Sequence, residues 1–165
     1  MVLSVAPNIM SEIKGGEWVL ELAKMMRNQK IKFVMVGVDK INFKCPSNVI
    51  LIERTNNQDE LASLYSMADV FVICSKMENF PTTCLEAQCC GTPICGFDVG
   101  GTKETTLFKK DFFVKYGDLD ALKNIIEKQL QNNMMDKKDF SNHSISVYSR
   151  EAMFEKYLLL YKNTR

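Results

Sequence analysis

Two glutamates stand eight residues apart in ENFPTTCLE (residues 78–86), one on each side of a Phe-Pro-Thr-Thr turn. The stretch follows an apolar run, VFVIC at 70–74, and leads into AQCCG at 87–91, so it reads as a strand, a tight turn and a helix start. The free N–H groups of a helix's first turn, together with its dipole, bind anions, typically phosphate. Pro81 and the hydroxyls of Thr82 and Thr83 stiffen that turn. Carboxylates on either side, Glu78 and Glu86, can accept hydrogen bonds from sugar or ribose hydroxyls. Near the start of the chain, Lys14 precedes Gly15-Gly16, where a lysine can neutralise a diphosphate that a glycine turn lets approach. A molecule with a diphosphate in the middle and a sugar ring at each end matches this arrangement. Each residue also has a plainer reading. Thr83-x-x-Glu86 fits a capping box, Glu78 fits a solvated loop, and Lys14 fits a surface turn.

The elements around these residues follow from periodicity. Short apolar runs at 2–6, 32–37, 49–53, 70–75, 93–97 and near 112–115 read as strands buried on both faces. Amphipathic stretches at 16–29, 58–68 (capped by Asn57), 83–90 (capped by Thr82 or Thr83 and stopped at Gly91), 118–133 and 146–162 read as helices. A short helix starts at Thr102, and residues 134–144 are the most linker-like part. Strands alternating with helices imply a Rossmann-like α/β domain over residues 1–165, with a parallel sheet and helices on both faces. Such sheets bind ligands beyond the carboxyl ends of their strands. That rule gathers Lys14, Gly37, Glu53-Arg54, residues 75–83 and residues 98–104 on one rim.

Composition excludes several alternatives. A net charge of +1 gives no strong field for nucleic acid or a membrane surface. No apolar run approaches the ~20 residues needed to span a bilayer, and no signal segment is present. Six cysteines, four of them between Cys74 and Cys95, lie mostly in apolar runs and read as free thiols of a reducing cytoplasm. They lack zinc-ligand spacing, and the single histidine, His143, is remote. There is no G-x-G-x-x-G, no Walker lysine motif and no acidic triplet resembling a metal cage.

The stretch from Met67 to Thr105 resembles the signature of family 4 (group 1) retaining glycosyltransferases. The matching elements are Ala68-Asp69, Ser75, Glu78-x7-Glu86, Glu86-Ala87, Gly91-x-Pro93 and Gly100-Gly101-x-x-Glu104, and Lys14-Gly15 matches the family's Lys-Gly. The Asn-Phe-Pro-Thr-Thr version, with ERTNN at 53–57, resembles a subgroup making bacterial surface polysaccharides. The resemblance implies one half of a GT-B fold: the C-terminal domain that binds a UDP- or GDP-sugar, with an N-terminal acceptor domain preceding Met1. It implies that Glu86 holds the ribose hydroxyls and that Lys14, with Gly15, meets the diphosphate. Asn79, Phe80, Pro81, Thr82 and Thr83 would cradle the distal phosphate and sugar. Glu78, the catalytic candidate, would bind donor-sugar hydroxyls beside the reacting carbon, while the departing diphosphate assists attack on its own face. No metal or cofactor is implied, because basic groups and amides stabilise the leaving group.

One family feature is absent. No arginine lies near Lys14-Gly15, and Arg54 on a neighbouring rim loop is the candidate phosphate contact in its place. A cytoplasmic enzyme is expected, reaching the inner face of the membrane only through the missing half or a lipid-linked acceptor, and inactive as this domain alone. A GT-B-fold sugar epimerase and a degenerate nucleotide-binding scaffold are the alternatives. The first would want more acid/base residues, including histidine, and the missing arginine keeps the second open.

Overall fold

The structure is a computed structural model that describes residues 1–39, 44–107, 112–131 and 136–163. Six parallel strands form one sheet: β1 (Val2–Val5), β2 (Phe33–Val36), β3 (Val49–Ile52), β4 (Val70–Ile73), β5 (Ile94–Phe97) and β6 (Phe113–Val114). Their spatial order is β3-β2-β1-β4-β5-β6. Val2 pairs with both Phe33 and Val70, which places β1 at the centre. The chain winds outward from β1 to β3, then returns past β1 to start the other half at β4. The direction of winding therefore reverses between β1 and β4, and the loops after these two strands lie side by side at the switch point, where a sheet of this kind binds its ligands.

Side chains alternate between the two faces, and helices cover both. Val2, Phe33, Met35, Val70 and Val72 pack on one face with α1 (Gly16–Met25) and α4 (Leu119–Gln131), through Val19, Leu22, Leu122 and Ile126. Leu3, Val34, Phe71, Ile73 and Ile94 pack on the other with Tyr65 of α2 (Gln58–Met67) and Cys84 of α3 (Thr82–Cys89). This two-sided burial explains the nearly unbroken apolar runs. β3, at the edge, is less covered, and Ile50 is exposed.

Several boundaries differ from the sequence reading. α1 stops at Met25, because Met26 leaves helical geometry and is buried while the polar run beyond it turns away. α3 begins at Thr82 with Pro81 as its cap residue, and no side chain caps it. The expected Thr83–Glu86 capping box is therefore not formed. Asn57 does cap α2, its side chain accepting from the Glu60 N–H at 2.8 Å, and Gly91 ends α3 in the left-handed region at φ 81°.

The C-terminal end departs most. The segment from 136 to 144 is not a linker; it opens α5 (Lys137–Tyr148), capped by the Asp136 carboxylate. α5 packs against α3 and buries Phe140 and Ser144. The single helix expected at 146–162 is broken at Ser149, which is extended and whose hydroxyl accepts from the Ala152 N–H, starting α6 (Arg150–Asn163). Residues 132–135, which include the expected end of α4 and the start of the linker, lie outside the described residues.

Candidate functional site

The loop after β1 is folded back on itself. The N–H groups of Lys14 and Gly15 both donate to the Ser11 carbonyl at 3.1 Å. Gly15 then enters α1 in the left-handed region at φ 69°, and a Cβ there would lie 2.1 Å from the Cys74 carbonyl oxygen. No other residue type combines that backbone angle with that closeness. The β1 loop and the end of β4 are thus pressed together, and the Lys76 N–H donates to the Ile13 carbonyl at 2.8 Å.

Two ion pairs span the same seam. Lys76 meets Glu12 at 2.7 Å, both well exposed, and Lys14 Nζ meets Glu78 Oε1 at 2.7 Å. The second pair is more enclosed, with side chains 29% and 12% exposed. An exposed pair contributes little, while an enclosed one is screened less.

The Gly100-Gly101 turn supports the Glu78 loop from the β5 side. A Cβ at Gly100 would lie 1.8 Å from the Glu78 carbonyl oxygen, and one at Gly101 would lie 1.8 Å from that of Asn79. The Gly101 N–H donates to the Glu78 carbonyl. Buried Gln88 of α3 in turn holds the following turn (Thr102–Thr105), donating to the Thr105 carbonyl at 2.6 Å and accepting from the Leu107 N–H. Glu78 and Asn79 therefore sit between two loops that cannot move independently.

Beyond them, Asn79 and Phe80 are exposed and Pro81 is buried, and α3 starts at Thr82. The first N–H groups of a helix have no partner inside it. Thr82 and Glu86 are four residues apart, on the exposed face of α3, while Cys84, Ala87 and Gln88 are buried behind. Glu86 accepts a hydrogen bond from the buried Tyr65 hydroxyl at 3.0 Å. Burial, and then the Glu86 charge, push the Tyr65 hydroxyl pKa well above its ordinary value, so it stays a donor.

The structure thus brings Lys14, Gly15, Glu78, Asn79, Phe80, Pro81, Thr82, Thr83 and Glu86 to the rim at β1 and β4. Arg54 lies farther along the same rim. It follows β3, with β2 lying between β3 and β1, and it is exposed with no ion pair among the described residues. Two strand spacings of about 4.8 Å separate the two strands. Tyr65 was missed because it reads as the apolar face of α2; the available signal is that a buried tyrosine hydroxyl needs a partner. The Lys14–Glu78 contact had no local signal, because only the strand order makes those loops neighbours. Among the described residues no cluster of His, Cys, Asp or Glu is suited to a metal, and no helix is long and apolar enough to cross a membrane. A separate groove of about 430 Å³ runs along α1 beside Met10, Trp18, Leu20 and Lys24, and none of the candidate residues lines it.

A doubly wound parallel sheet with helices on both faces defines a Rossmann-like α/β domain, and the lysine–carboxylate pair, the start of α3 and a second carboxylate lie at its switch point. Comparison with known proteins narrows this class. Residues 6–146 match the family described as glycosyl transferases group 1, and the chain belongs to that family. A D-inositol 3-phosphate glycosyltransferase of Streptomyces bingchenggensis is 37% identical over 93 residues, which is 56% of this chain and 18% of that protein. An N,N'-diacetylbacillosaminyl-diphospho-undecaprenol alpha-1,3-N-acetylgalactosaminyltransferase of Campylobacter jejuni is 33% identical over 95 residues, 55% of this chain and 25% of that protein. A TarM variant of S. aureus, solved in complex with UDP among other ligands, superposes with a TM-score of 0.74 at 18% identity, covering 97% of this chain and 35% of its own. The chain spans only about a fifth to a third of the length of these proteins.

Proposed function

We propose that this chain is the nucleotide-sugar-binding half of a retaining glycosyltransferase serving bacterial surface polysaccharide synthesis. The observation that carries the reading is the rim itself: Lys14 and Glu78 in contact at the switch point, the start of α3 beside them, and Glu86 one turn into that helix. Lys14 meets the diphosphate, and the first turn of α3 takes its distal oxygens. Glu86, its carboxylate held by Tyr65, accepts from the ribose hydroxyls. Glu78 accepts from hydroxyls of the sugar to be transferred. The donor is a UDP- or GDP-sugar and the acceptor sits at the inner membrane face; the UDP in the TarM structure supports the first of these donors, and the undecaprenol-linked sugar in the name of the Campylobacter relative supports a lipid-linked acceptor. That acceptor would be held by an N-terminal domain.

Calorimetry of the purified chain against UDP, GDP and their sugar derivatives tests the reading, with Lys14→Ala and Glu86→Ala alongside. Each substitution removes a charge-assisted contact and should weaken binding by about tenfold or more. A folded wild-type chain that binds none of these ligands overturns it.

A further inference from the structure

Lys14 and Glu78 are assigned to different parts of one ligand, yet in the structure they bind each other. Resting on the proposed function, we infer that Glu78 is a discriminating residue, which makes the site favour an intact nucleotide-sugar over the nucleoside diphosphate left after transfer.

The loops carrying the pair cannot separate easily. Gly15 lies against the Cys74 carbonyl, Lys76 N–H donates to Ile13, and the Glu78 carbonyl accepts from Gly101. Any exchange of partners is therefore made by the side chains. A diphosphate that recruits the Lys14 ammonium takes it from Glu78, or shares it. In both cases a carboxylate only 12% exposed is left beside a new negative charge. Burying a charge without its partner is costly, and like charges at this range repel.

An intact donor reduces that cost in two ways. Its terminal phosphate is esterified, so it lacks the second ionisation of a free terminal phosphate, whose pKa is about 6. Its sugar also places hydroxyl donors against Glu78, replacing the bond lost from Lys14. A free nucleoside diphosphate offers neither. Glu78 thus opposes product while tolerating donor, and Lys14 is the group through which it acts on the phosphate. The Glu12–Lys76 pair crosses the same two loops with both side chains exposed, so it exerts no comparable effect.

The test is calorimetry of the purified chain with UDP, GDP and the matching nucleotide-sugars, on wild type, Glu78→Gln, Lys14→Met, the double variant and Glu12→Gln. Circular dichroism checks that each is folded. Glu78→Gln should tighten nucleoside diphosphate binding by about tenfold and weaken nucleotide-sugar binding, reversing the order of preference. In the Lys14→Met background there is no ion pair to break and only the repulsion remains, so the tightening should be clearly smaller than with Lys14 present. Glu12→Gln removes the same charge nearby and should shift the donor-to-diphosphate ratio by less than about twofold. If wild type binds but Glu78→Gln leaves that ratio unchanged, or weakens both ligands equally, the inference fails while the proposed function stands. If no folded chain binds any nucleotide, the proposed function fails and takes the inference with it.

Discussion

The rim at β1 and β4 and the helical end of α5 and α6 hold their residues by different means. At the rim, side chains that could do chemistry hang from backbone fixed on several sides. Gly15 abuts Cys74, Gly100 abuts Glu78, Gly101 abuts Asn79, and of the strands beneath β4 is wholly buried and β1 buried up to the partly covered Val5. At the other end, α5 is anchored by Phe140, Ser144 and the Tyr148 hydroxyl on Thr105, whereas α6 buries no residue. Phe154, Tyr157, Leu159, Leu160 and Tyr161 are all exposed there. Geometry that a ligand needs is set by close backbone contacts, and these tolerate no added atoms. A helix that buries none of its residues tolerates many.

The strongest way to break the comparison is at Gly15. Gly15→Val adds a Cβ 2.1 Å from a carbonyl oxygen at a backbone angle valine avoids. The expected loss is at least ~3 kcal/mol of stability. Denaturant unfolding would read it, and a midpoint within error of wild type would show that the two loops are not pressed together.

What could be read in advance follows the same division. The strands at 33–36 and 70–73 were legible because residues on both faces are buried, leaving unbroken apolar runs. Their carboxyl ends located the rim, and the Glu78–Glu86 spacing pointed to it. The strand order was not legible, since any order of repeated strand–helix units gives the same pattern; yet that order makes Lys14 and Glu78 partners. The start of α3 was misjudged because threonine is a preferred cap residue whereas Pro81 has no side-chain acceptor to mark a cap, and helix ends are set by contacts beyond the helix. The break at Ser149 had a signal in its capping hydroxyl, but the apolar residues on both sides suggested continuity.

Alkaline titration sharpens the contrast at an intermediate scale. Cys74, Cys84 and Cys95 lie buried beneath the rim, and α6 carries no cysteine. Burial pushes the Cys84 thiol up to about 12 and raises Cys74 and Cys95 as well. An unfolded thiol titrates near 8.5. The folded state therefore holds these protons more tightly. Stability is intact below pH ~8.5 and falls as pH rises from there toward 12, by up to ~1.4 kcal/mol per pH unit for each thiol. Scanning calorimetry between pH 7.5 and 10 should show a falling melting temperature. At pH 8 the three buried thiols should resist an alkylating reagent that labels all six in denaturant. Labelling of all six in the native protein at the denatured rate would contradict the burial.

The smallest effect belongs to α6. Phe154 and Leu159 are 61% and 59% exposed, so changing either to serine removes little buried surface and creates no cavity. Each should move stability by no more than about 0.5 kcal/mol, or about 1–2 °C in melting temperature for a domain of this size. Serine is a slightly poorer helix former than leucine, so the sign is a small loss. By contrast, Val72 and Phe97 are fully buried on strands, and truncating either to alanine leaves a cavity beneath the rim. Parallel melts of Phe154→Ser and Phe97→Ala would set the two regions on one scale. Equal losses would mean that α6 is packed in solution as tightly as the sheet; a ratio of several-fold would place the fold's stability in the sheet that carries the site.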